Sequence, residues 1–342
     1  MKRSLFIRAD GNETIGLGHI MRSMTIANEF RKRGYTCTFL SSAPVSKEIF
    51  DRYGFEVIEI GYPYDSKTDA EARQIAEILA RNEAKYILVD SYHTNNGYLN
   101  ILRNSAAMIC INSTGKRLAT DYLINENIAC DRDYIEELYS GSGVRLLLGP
   151  EYTPIRDEFR GKSYQASPTV KKVLVTTGGG DQHNFMTELL RMIKAESLYK
   201  DIQFTFISGG CNIHYDELAW EAVGCGNVQI IQNSAKMAEL MWESDMAVSA
   251  GGTTILELSV TGVPAIGMAV AGDQEAGLAF MGHIGMIKYV GRVTEKEFWH
   301  RFFTAFNEML YSYACREKMS KKCRSYLDGN GAERIFHQIT GE

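Results

Sequence analysis

Long apolar stretches are absent from this chain of 342 residues. No segment approaches the ~20 consecutive apolar residues that a membrane-spanning helix needs. The first residues, Met1 to Ser4, lead into a short apolar run and a polar loop, without a long apolar core or a small-residue cleavage site. We therefore expect a cytoplasmic protein that has neither a signal peptide nor a membrane span.

An excess of basic residues is also missing. The chain has 37 lysines and arginines against 42 acidic residues, and its formal net charge is −5. Proteins that bind nucleic acid broadly need positive charge to neutralise phosphates, so this balance argues against nucleic acid as a partner. The hydrophobic content of 45% is ample for a globular core.

Metal-binding spacings are equally lacking. None of the seven cysteines belongs to a Cys-x-x-Cys pair, and none of the seven histidines follows a His-x-His or His-x-x-x-His spacing. An odd number of scattered cysteines is typical of reduced thiols in a cytosolic protein. Because these spacings supply no ligand set, we expect neither a metal nor a cofactor.

Short apolar runs alternate with longer amphipathic segments along the whole chain, which predicts parallel sheets covered by helices on both faces. The predicted strands of the first half are 4–9, 36–40, 56–60, 85–89 and 107–111. The predicted helices between them are 19–33, 46–53, 68–82 and 95–104. The predicted strands of the second half are 172–176, 202–207, 228–230, 246–249, 265–268 and 286–290.

A connector separates the two halves. Three of the six prolines lie within residues 149–169, a segment without periodicity. We therefore predict two doubly wound, Rossmann-type α/β domains, residues 1–160 and 161–342, with the last helix able to pack back on the first domain. Ligands of open α/β sheets bind at the carboxyl ends of the strands, so the expected site is a cleft between the two domains.

The most informative segment is Gly16-Leu17-Gly18-His19-Ile20-Met21-Arg22-Ser23, which follows an apolar strand and a polar loop. A helix that begins here presents unpaired backbone N–H groups and a positive dipole end, which together suit an anion. The dipole also opposes a second proton on His19, and a neutral imidazole can act as a general base. The alternative for His19 is a polar loop residue, or a partly buried histidine bonded to backbone.

Arg22 lies three residues after His19 and therefore on the same helix face. Its guanidinium could contact a substrate, or it could lower the proton affinity of the imidazole by like charge. The alternative is an arginine on a solvated face of the helix.

Glycine-rich loops in the second half suit a diphosphate. The loop Gly178–Gly180 lets the backbone approach a ligand, although an ordinary tight turn is an equal interpretation. The segment from Ser249 to Glu257 offers N–H groups and hydroxyls to phosphates. Glu257 could accept hydrogen bonds from ribose hydroxyls, or it could complete a capping box with Thr254. The predicted nucleotide-binding residues are Gly178, Gly179, Gly180, Gly251, Gly252, Thr253, Thr254 and Glu257.

Asp273 and Gln274 open another helix, just after the predicted strand 265–268. Polar side chains at this edge could bind hydroxyl or amide groups of a sugar. The alternative is an ordinary acidic helix start, which the dipole favours.

A set of motifs spans nearly the whole chain in a consistent order. The motifs are Arg8-Ala9-Asp10, Gly16 to Arg22, Asp90-Ser91-Tyr92, Leu148 to Tyr152 with Arg156 and Phe159, Gly178 to Asp181, Ser249 to Glu257, Asp273-Gln274-Glu275 and Asp328 to Ile335. Together they resemble the UDP-2,4-diacetamido-2,4,6-trideoxy-β-L-altropyranose hydrolases of pseudaminic acid biosynthesis, a family related to MurG-like glycosyltransferases of the GT-B fold.

The resemblance implies a metal-independent hydrolase of GT-B fold whose second domain holds UDP. It implies that His19 activates water against the anomeric carbon, and that UDP and a free 2,4-diacetamido-2,4,6-trideoxyhexose are released. A small UDP-sugar is thus the implied partner, whereas the oligomeric state is not specified. The implied substrate-binding residues are Arg8, Gly16, Gly18, Arg22, Tyr92, Asp273 and Gln274.

One departure from that family concerns Asn112 and Ser113, since relatives usually carry two adjacent acids there. Asparagine can form hydrogen bonds but cannot act as a base. Two other functions therefore stay open. One is a glycosyltransferase of the same architecture that uses a UDP-amino sugar donor, and the other is a non-catalytic sugar-nucleotide binder.

Overall fold

The computed structural model describes residues 3–11, 16–42, 47–91 and 93–342. The chain divides into two compact units. The first unit contains Met1–Ile155 together with Asn330–Glu342, and the second contains Arg156–Gly329. Within the described ranges, every helix falls short of the length and apolarity that a membrane crossing requires.

The first unit is built on a seven-stranded parallel sheet with the order β3-β2-β1-β4-β5-β6-β7. Its strands are β1 (Ser4–Ala9), β2 (Thr36–Ser42), β3 (Glu56–Ile60), β4 (Tyr86–Asp90), β5 (Ala107–Ile111), β6 (Tyr122–Asn125) and β7 (Arg145–Leu148). Its helices are α1 (Gly18–Lys32), α2 (Lys47–Tyr53), α3 (Asp69–Arg81), α4 (Asn96–Arg103), α5 (Arg132–Leu138) and, from the end of the chain, α13 (Gly331–Thr340).

Both faces of this sheet are covered. Successive side chains of β1 point to opposite faces. Ile7 therefore packs in the core beneath α1 and α13, whereas Phe6 packs in the core beneath α3 and α4. The inner strands β1, β4 and β5 are buried almost throughout and are mostly apolar, as is typical of parallel sheets.

The second unit repeats the arrangement with six parallel strands in the order β10-β9-β8-β11-β12-β13. Its strands are β8 (Lys172–Thr176), β9 (Gln203–Ser208), β10 (Val228–Gln232), β11 (Met246–Ala250), β12 (Ala265–Ala269) and β13 (Lys288–Arg292). Its helices are α6 (Phe185–Ala195), α7 (Tyr215–Glu221), α8 (Met237–Trp242), α9 (Thr253–Thr261), α10 (Glu275–His283), α11 (Phe298–Tyr311) and α12 (Tyr313–Tyr326).

These two parallel α/β sheets confirm the predicted fold class. The strands β6 and β7 are additional to the predicted ones. Each is only four residues long, and an apolar run of that length does not stand out from a loop in the sequence.

The final helix α13 packs on α1 in the first unit. Phe336 is fully buried, and its ring lies 4.9 Å from that of Phe30 and 5.8 Å from that of Tyr35, both edge to face. The guanidinium of Arg33 lies 4.6 Å from the centre of the Phe336 ring. The C-terminal residues therefore complete the core of the unit that begins the chain.

We predict that Phe336→Ala lowers the free energy of unfolding by about 3–5 kcal/mol, because it removes a buried ring and leaves a cavity. Urea denaturation of both proteins measures this loss. The matched control is Gln338→Ala on the exposed face of α13, which should change stability by less than about 0.5 kcal/mol. Equal stability of the two variants would contradict the role given to α13.

Candidate active site

His19 lies at the point where the strand order of the first sheet reverses. The strand β1 has β2 on one side and β4 on the other, and Ala9 pairs in register with Asp90. Loops that leave two neighbouring strands at such a point diverge and open a crevice for a ligand. His19 follows β1, and Asp90 is the last residue of β4.

His19 is the second residue of α1. Among the described residues, no side chain caps the helix start and no acidic residue lies in its first turn, which suits the anion-binding character that the sequence predicts. The His19 residue is 6% exposed. Its Nδ1 atom lies 2.6 Å from Oδ1 of Asp90.

The hydrogen bonds around Asp90 determine which ring nitrogen carries the proton. The NH2 group of Arg22 donates to the same Oδ1 atom at 2.5 Å and lies 3.0 Å from Nδ1 of His19. An unprotonated Nδ1 would face a carboxylate oxygen at 2.6 Å with two lone pairs opposed. We therefore assign the proton to Nδ1, which donates to Asp90 and leaves Nε2 as the acceptor.

Asp90 is fully buried and holds this arrangement together. Its Oδ2 atom accepts from Nε of Arg22 at 2.6 Å and from Oγ of Ser23 at 3.2 Å. Burial opposes ionisation, but the charges and hydrogen bonds of Arg22 and His19 outweigh it and lower the Asp90 pKa from 3.8 to about 2. Asp90 is thus a carboxylate at neutral pH that orients His19.

The sequence alone did not predict that Asp90 orients His19, because it indicated Asp90 only as part of the motif Asp90-Ser91-Tyr92. The available signal was an acid at the end of a predicted strand. Only the pairing of β4 with β1 places that acid beside His19. Tyr92, the predicted substrate-binding residue of the same motif, lies outside the described residues.

Arg8 lies in a separate buried network at the end of β1, and its side chain is 0% exposed. Its guanidinium donates from Nε to Glu71 at 2.8 Å, from NH1 to Asp10 at 2.5 Å and from NH2 to Ser42 at 2.8 Å. Lys67 donates to the other oxygen of Asp10 at 3.1 Å. These bonds tie β1, β2 and α3 together, so substrate contact by the Arg8 side chain would require the network to open.

The two predicted glycines near His19 differ in conformation. Gly16 has φ +70°, a left-handed value that glycine adopts without steric cost. A Cβ atom on Gly18 would meet no atom of the described residues within 4 Å.

In the second unit, the three predicted loops follow three neighbouring strands. Gly178–Gly180 follows β8, Gly251 and Gly252 follow β11, and Asp273 and Gln274 follow β12. The strand order of this sheet reverses between β8 and β11. The sheet thus places these loops side by side at the edge where ligands of this fold class bind.

The starts of two helices at this edge differ. Asp181 accepts hydrogen bonds from the N–H groups of Phe185 and Met186 at 2.9 and 2.8 Å, so a carboxylate already occupies the start of α6. The helix α9 begins after Gly252 without a side-chain cap. Among the described residues, the start of α9 is therefore the better candidate for binding a phosphate. The Gly178–Gly180 loop instead has φ +84° at Gly178, as expected for an ordinary tight turn.

Gly251 allows this loop to approach α10. A Cβ atom at Gly251 would lie 2.6 Å from Cδ1 of Leu278 and 2.9 Å from Cβ of Gln274, distances at which side chains collide. Gly252 and Thr253 are exposed, whereas Thr254 is partly buried. Asp273 is exposed, and the Oε1 atom of Gln274 accepts from the N–H of Val270 at 3.0 Å.

Glu257 does not form the capping box that its spacing from Thr254 allows. Because Gly252 is the N-cap residue, Thr254 lies inside the helix. Glu257 is 6% exposed, and its Oε1 atom accepts from Nε and NH2 of Arg156 at 3.0 and 2.9 Å. Burial raises the pKa of Glu257, and the Arg156 charge opposes that rise.

Comparison with known proteins agrees with this architecture. Residues 173–274 match the glycosyltransferase family 28 C-terminal domain. Over its full length, the chain superposes on MurG of Acinetobacter baumannii with a TM-score of 0.68 at 13% sequence identity, covering 100% of both chains. The chain has the GT-B fold.

A second solved structure of similar architecture belongs to an enzyme of another kind. The UDP-GlcNAc 2-epimerase of Neisseria meningitidis superposes with a TM-score of 0.66 at 14% identity, covering 99% of this chain and 100% of the epimerase. At such identities the likeness establishes the fold, and one fold supports many reactions.

Three relatives are similar to this chain in sequence. An uncharacterized protein of Methanocaldococcus jannaschii is 23% identical over 76% of this chain, which spans 54% of that protein's length. The spore coat polysaccharide biosynthesis protein SpsG of Bacillus subtilis is 21% identical over a region that covers 96% of this chain and 95% of SpsG. The UDP-2,4-diacetamido-2,4,6-trideoxy-β-L-altropyranose hydrolase of Campylobacter jejuni is 20% identical over a region that covers 74% of this chain and 86% of the hydrolase. The predicted resemblance is confirmed as a distant sequence similarity.

We predict that Asp90→Asn lowers the free energy of unfolding by about 3 kcal/mol at pH 7, because it leaves Arg22 beside a neutral amide in a buried position. The lowered pKa of Asp90 stabilises the folded state above pH ~4, and this contribution is lost as the pH falls toward 2. The stability difference between parent and variant should therefore shrink as the pH falls from ~4 toward 2. Urea denaturation across this pH range measures it, and a difference that grew between pH ~4 and ~2 would contradict the assignment.

Proposed function

We propose that the protein hydrolyses a UDP-linked 2,4-diacetamido-2,4,6-trideoxyhexose to UDP and the free sugar. The product would serve in the biosynthesis of a nonulosonic acid, such as pseudaminic acid, or of a surface polysaccharide. The single observation that carries the proposal is the His19–Asp90 pair, in which Nδ1 is bonded to a buried carboxylate at 2.6 Å. This bond assigns the ring proton to Nδ1 and the basic lone pair to Nε2. The distant similarity to the Campylobacter hydrolase gives the substrate class.

In the proposed reaction, Nε2 of His19 removes a proton from water while the water oxygen attacks C1 of the sugar. The bond between C1 and the diphosphate oxygen breaks, and UDP leaves with the electron pair. Asp90 stabilises the imidazolium that forms, as the carboxylate partner of a histidine base does. The imidazolium then returns its proton to solvent.

The second unit would hold the nucleotide. N–H groups at the start of α9, beside Gly251 and Gly252, would bind the diphosphate and stabilise its charge as UDP departs. Glu257 would accept hydrogen bonds from the ribose while Arg156 keeps it charged. Asp273 and Gln274 would contact the sugar, as would Arg22 and the backbone at Gly16 and Gly18.

A glycosyltransferase is the second candidate, because residues 173–274 match a glycosyltransferase domain. A transferase would use the same donor but would pass the sugar to an acceptor hydroxyl. A non-catalytic sugar-nucleotide binder is the third candidate, because the uncharged Asn112 and Ser113 stand where two acids are expected. Release of UDP from the donor alone separates the hydrolase from the other two, since only a hydrolase turns over without an acceptor.

We predict that the purified protein releases UDP from UDP-2,4-diacetamido-2,4,6-trideoxy-β-L-altropyranose, or from another member of a UDP-N-acetyl sugar panel, with no acceptor added. In water labelled with ¹⁸O, the released UDP should carry no label, because attack occurs at C1 and not at phosphorus. Mass spectrometry of UDP measures this. Turnover only with an acceptor would favour the transferase, and tight UDP binding without any turnover would favour the binder.

We also predict that His19→Ala lowers turnover by about 10²–10⁴-fold, the usual contribution of a general base. Calorimetry should give the same Kd for UDP as in the parent, because His19 belongs to the chemical step. The matched control is His337→Ala, an exposed histidine on α13 of the same unit, which should retain full activity. Normal turnover by His19→Ala would refute the assignment.

A further inference from the structure

Arg22 joins two carboxylates in the first unit. Its Nε and NH2 groups bond Asp90, and its NH1 group donates to Oε1 of Glu126 at 2.8 Å. Glu126 is the residue directly after β6, and its side chain is 12% exposed. A continuous chain of hydrogen bonds therefore runs from His19 through Asp90 and Arg22 to Glu126.

Glu126 is placed at an energetic cost. Its second carboxylate oxygen, Oε2, is buried and has no hydrogen-bond partner among the described residues. A buried carboxylate oxygen without a partner is destabilising, and a glutamine could make the same contact with Arg22 without a charge to desolvate. The negative charge at this position therefore calls for an explanation other than stability.

The balance of charge around His19 explains why a carboxylate is present at this position. Asp90 and Glu126 carry one negative charge each, and Arg22 carries one positive charge, so the three groups together are net negative. Without Glu126, the positive charge of Arg22 would cancel that of Asp90 at the imidazole, since its NH2 group lies 3.0 Å from Nδ1 of His19. A net negative cluster favours the imidazolium that a base forms when it takes a proton.

Among the described residues, the other groups at the ends of β1 and β5 are already paired or neutral. Asp10, after β1, is bonded by Arg8 and Lys67. Asn112, after β5, is neutral, and its Oδ1 atom accepts from the N–H of Thr114 at 2.8 Å. In the first three turns of α1, from Gly18 to Asn28, His19 and Arg22 are the titratable side chains. Glu126 is thus the carboxylate that opposes Arg22 from the β6 side.

We propose that Glu126 is a positioning residue that neutralises Arg22 and thereby raises the proton affinity of His19. Its link to catalysis rests on the proposed function, because it matters for turnover only if His19 is the base. The electrostatic coupling itself exists in the free protein. Glu126, directly after β6, is then the second acid of this site besides Asp90. The residues that follow β5, Asn112 and Ser113, are uncharged.

The test compares Glu126→Gln with the parent. The amide oxygen of glutamine can still accept from Arg22, so the change removes the charge and keeps the contact. We expect the titration midpoint of His19 to fall by about half to one pH unit, the effect of one charge acting across a partly buried pair. Carbon or nitrogen NMR of labelled histidine measures it in the ligand-free protein, with the signal identified by its loss in His19→Ala.

Activity gives the second readout. Because the reaction needs neutral His19, the acid limb of kcat/KM should move to lower pH by the same amount. The control is Glu77→Gln, which removes one charge from an exposed pair with Arg81 on α3 of the same unit and should move neither readout. Glu126→Asp keeps the charge and should shift the midpoint by less than half as much as Glu126→Gln.

The outcomes separate this inference from the proposed function. An unchanged His19 titration in folded Glu126→Gln overturns the inference, even if the parent hydrolyses its substrate through His19. An equal shift in Glu126→Asp also overturns it, since shape and not charge would then be the cause. A shifted titration in a protein that hydrolyses no UDP-sugar upholds the coupling and refutes the proposed function.

Discussion

The buried carboxylate of Asp90 is the interaction on which the candidate active site depends. It receives His19 and Arg22 from the first turns of α1, and Ser23 from the next position along. An ionised group at full burial is stable only where such partners compensate its lost hydration. Because the partners all come from α1, the same bonds fix the orientation of the imidazole and dock the helix start against β4.

The two units use one topology for two purposes. In each sheet the strand order reverses beside the first strand of the unit, and in each the candidate site lies at that edge. In the first unit, an uncapped helix start is combined with a histidine and a buried carboxylate. In the second, one helix start is filled by Asp181 and the neighbouring one, at α9, is preceded by glycines. The first arrangement suits proton transfer and the second suits an anion, which is the division that a sugar-nucleotide enzyme needs.

Buried charge is concentrated at the carboxyl ends of β1 and β4. Arg8, Asp10, Lys67 and Glu71 form one network there, and Asp90, Arg22 and Glu126 form part of another. One oxygen each of Glu71 and Glu126 has no hydrogen-bond partner among the described residues. Stability alone would favour apolar packing at such positions, so their location beside the crevice of the first sheet is consistent with a functional site.

The fold class could be predicted from the amino-acid sequence alone, because alternating apolar runs and amphipathic segments leave few arrangements other than doubly wound sheets. The sequence also indicated the family resemblance, and it singled out His19 and the loop before α9 from local chemistry alone. The short strands β6 and β7 escaped prediction because a segment of four residues carries little periodic signal. Which distant side chains meet, in contrast, follows from the tertiary structure. Asp90 and Glu126 lie 71 and 107 positions after His19 in the sequence, and their partnership with it depends on strand order. The tertiary structure likewise showed that Glu257 pairs with Arg156 and that Arg8 is enclosed by its own network. Hydrogen bonds between remote segments depend on sheet topology and register, which no local pattern of residues records.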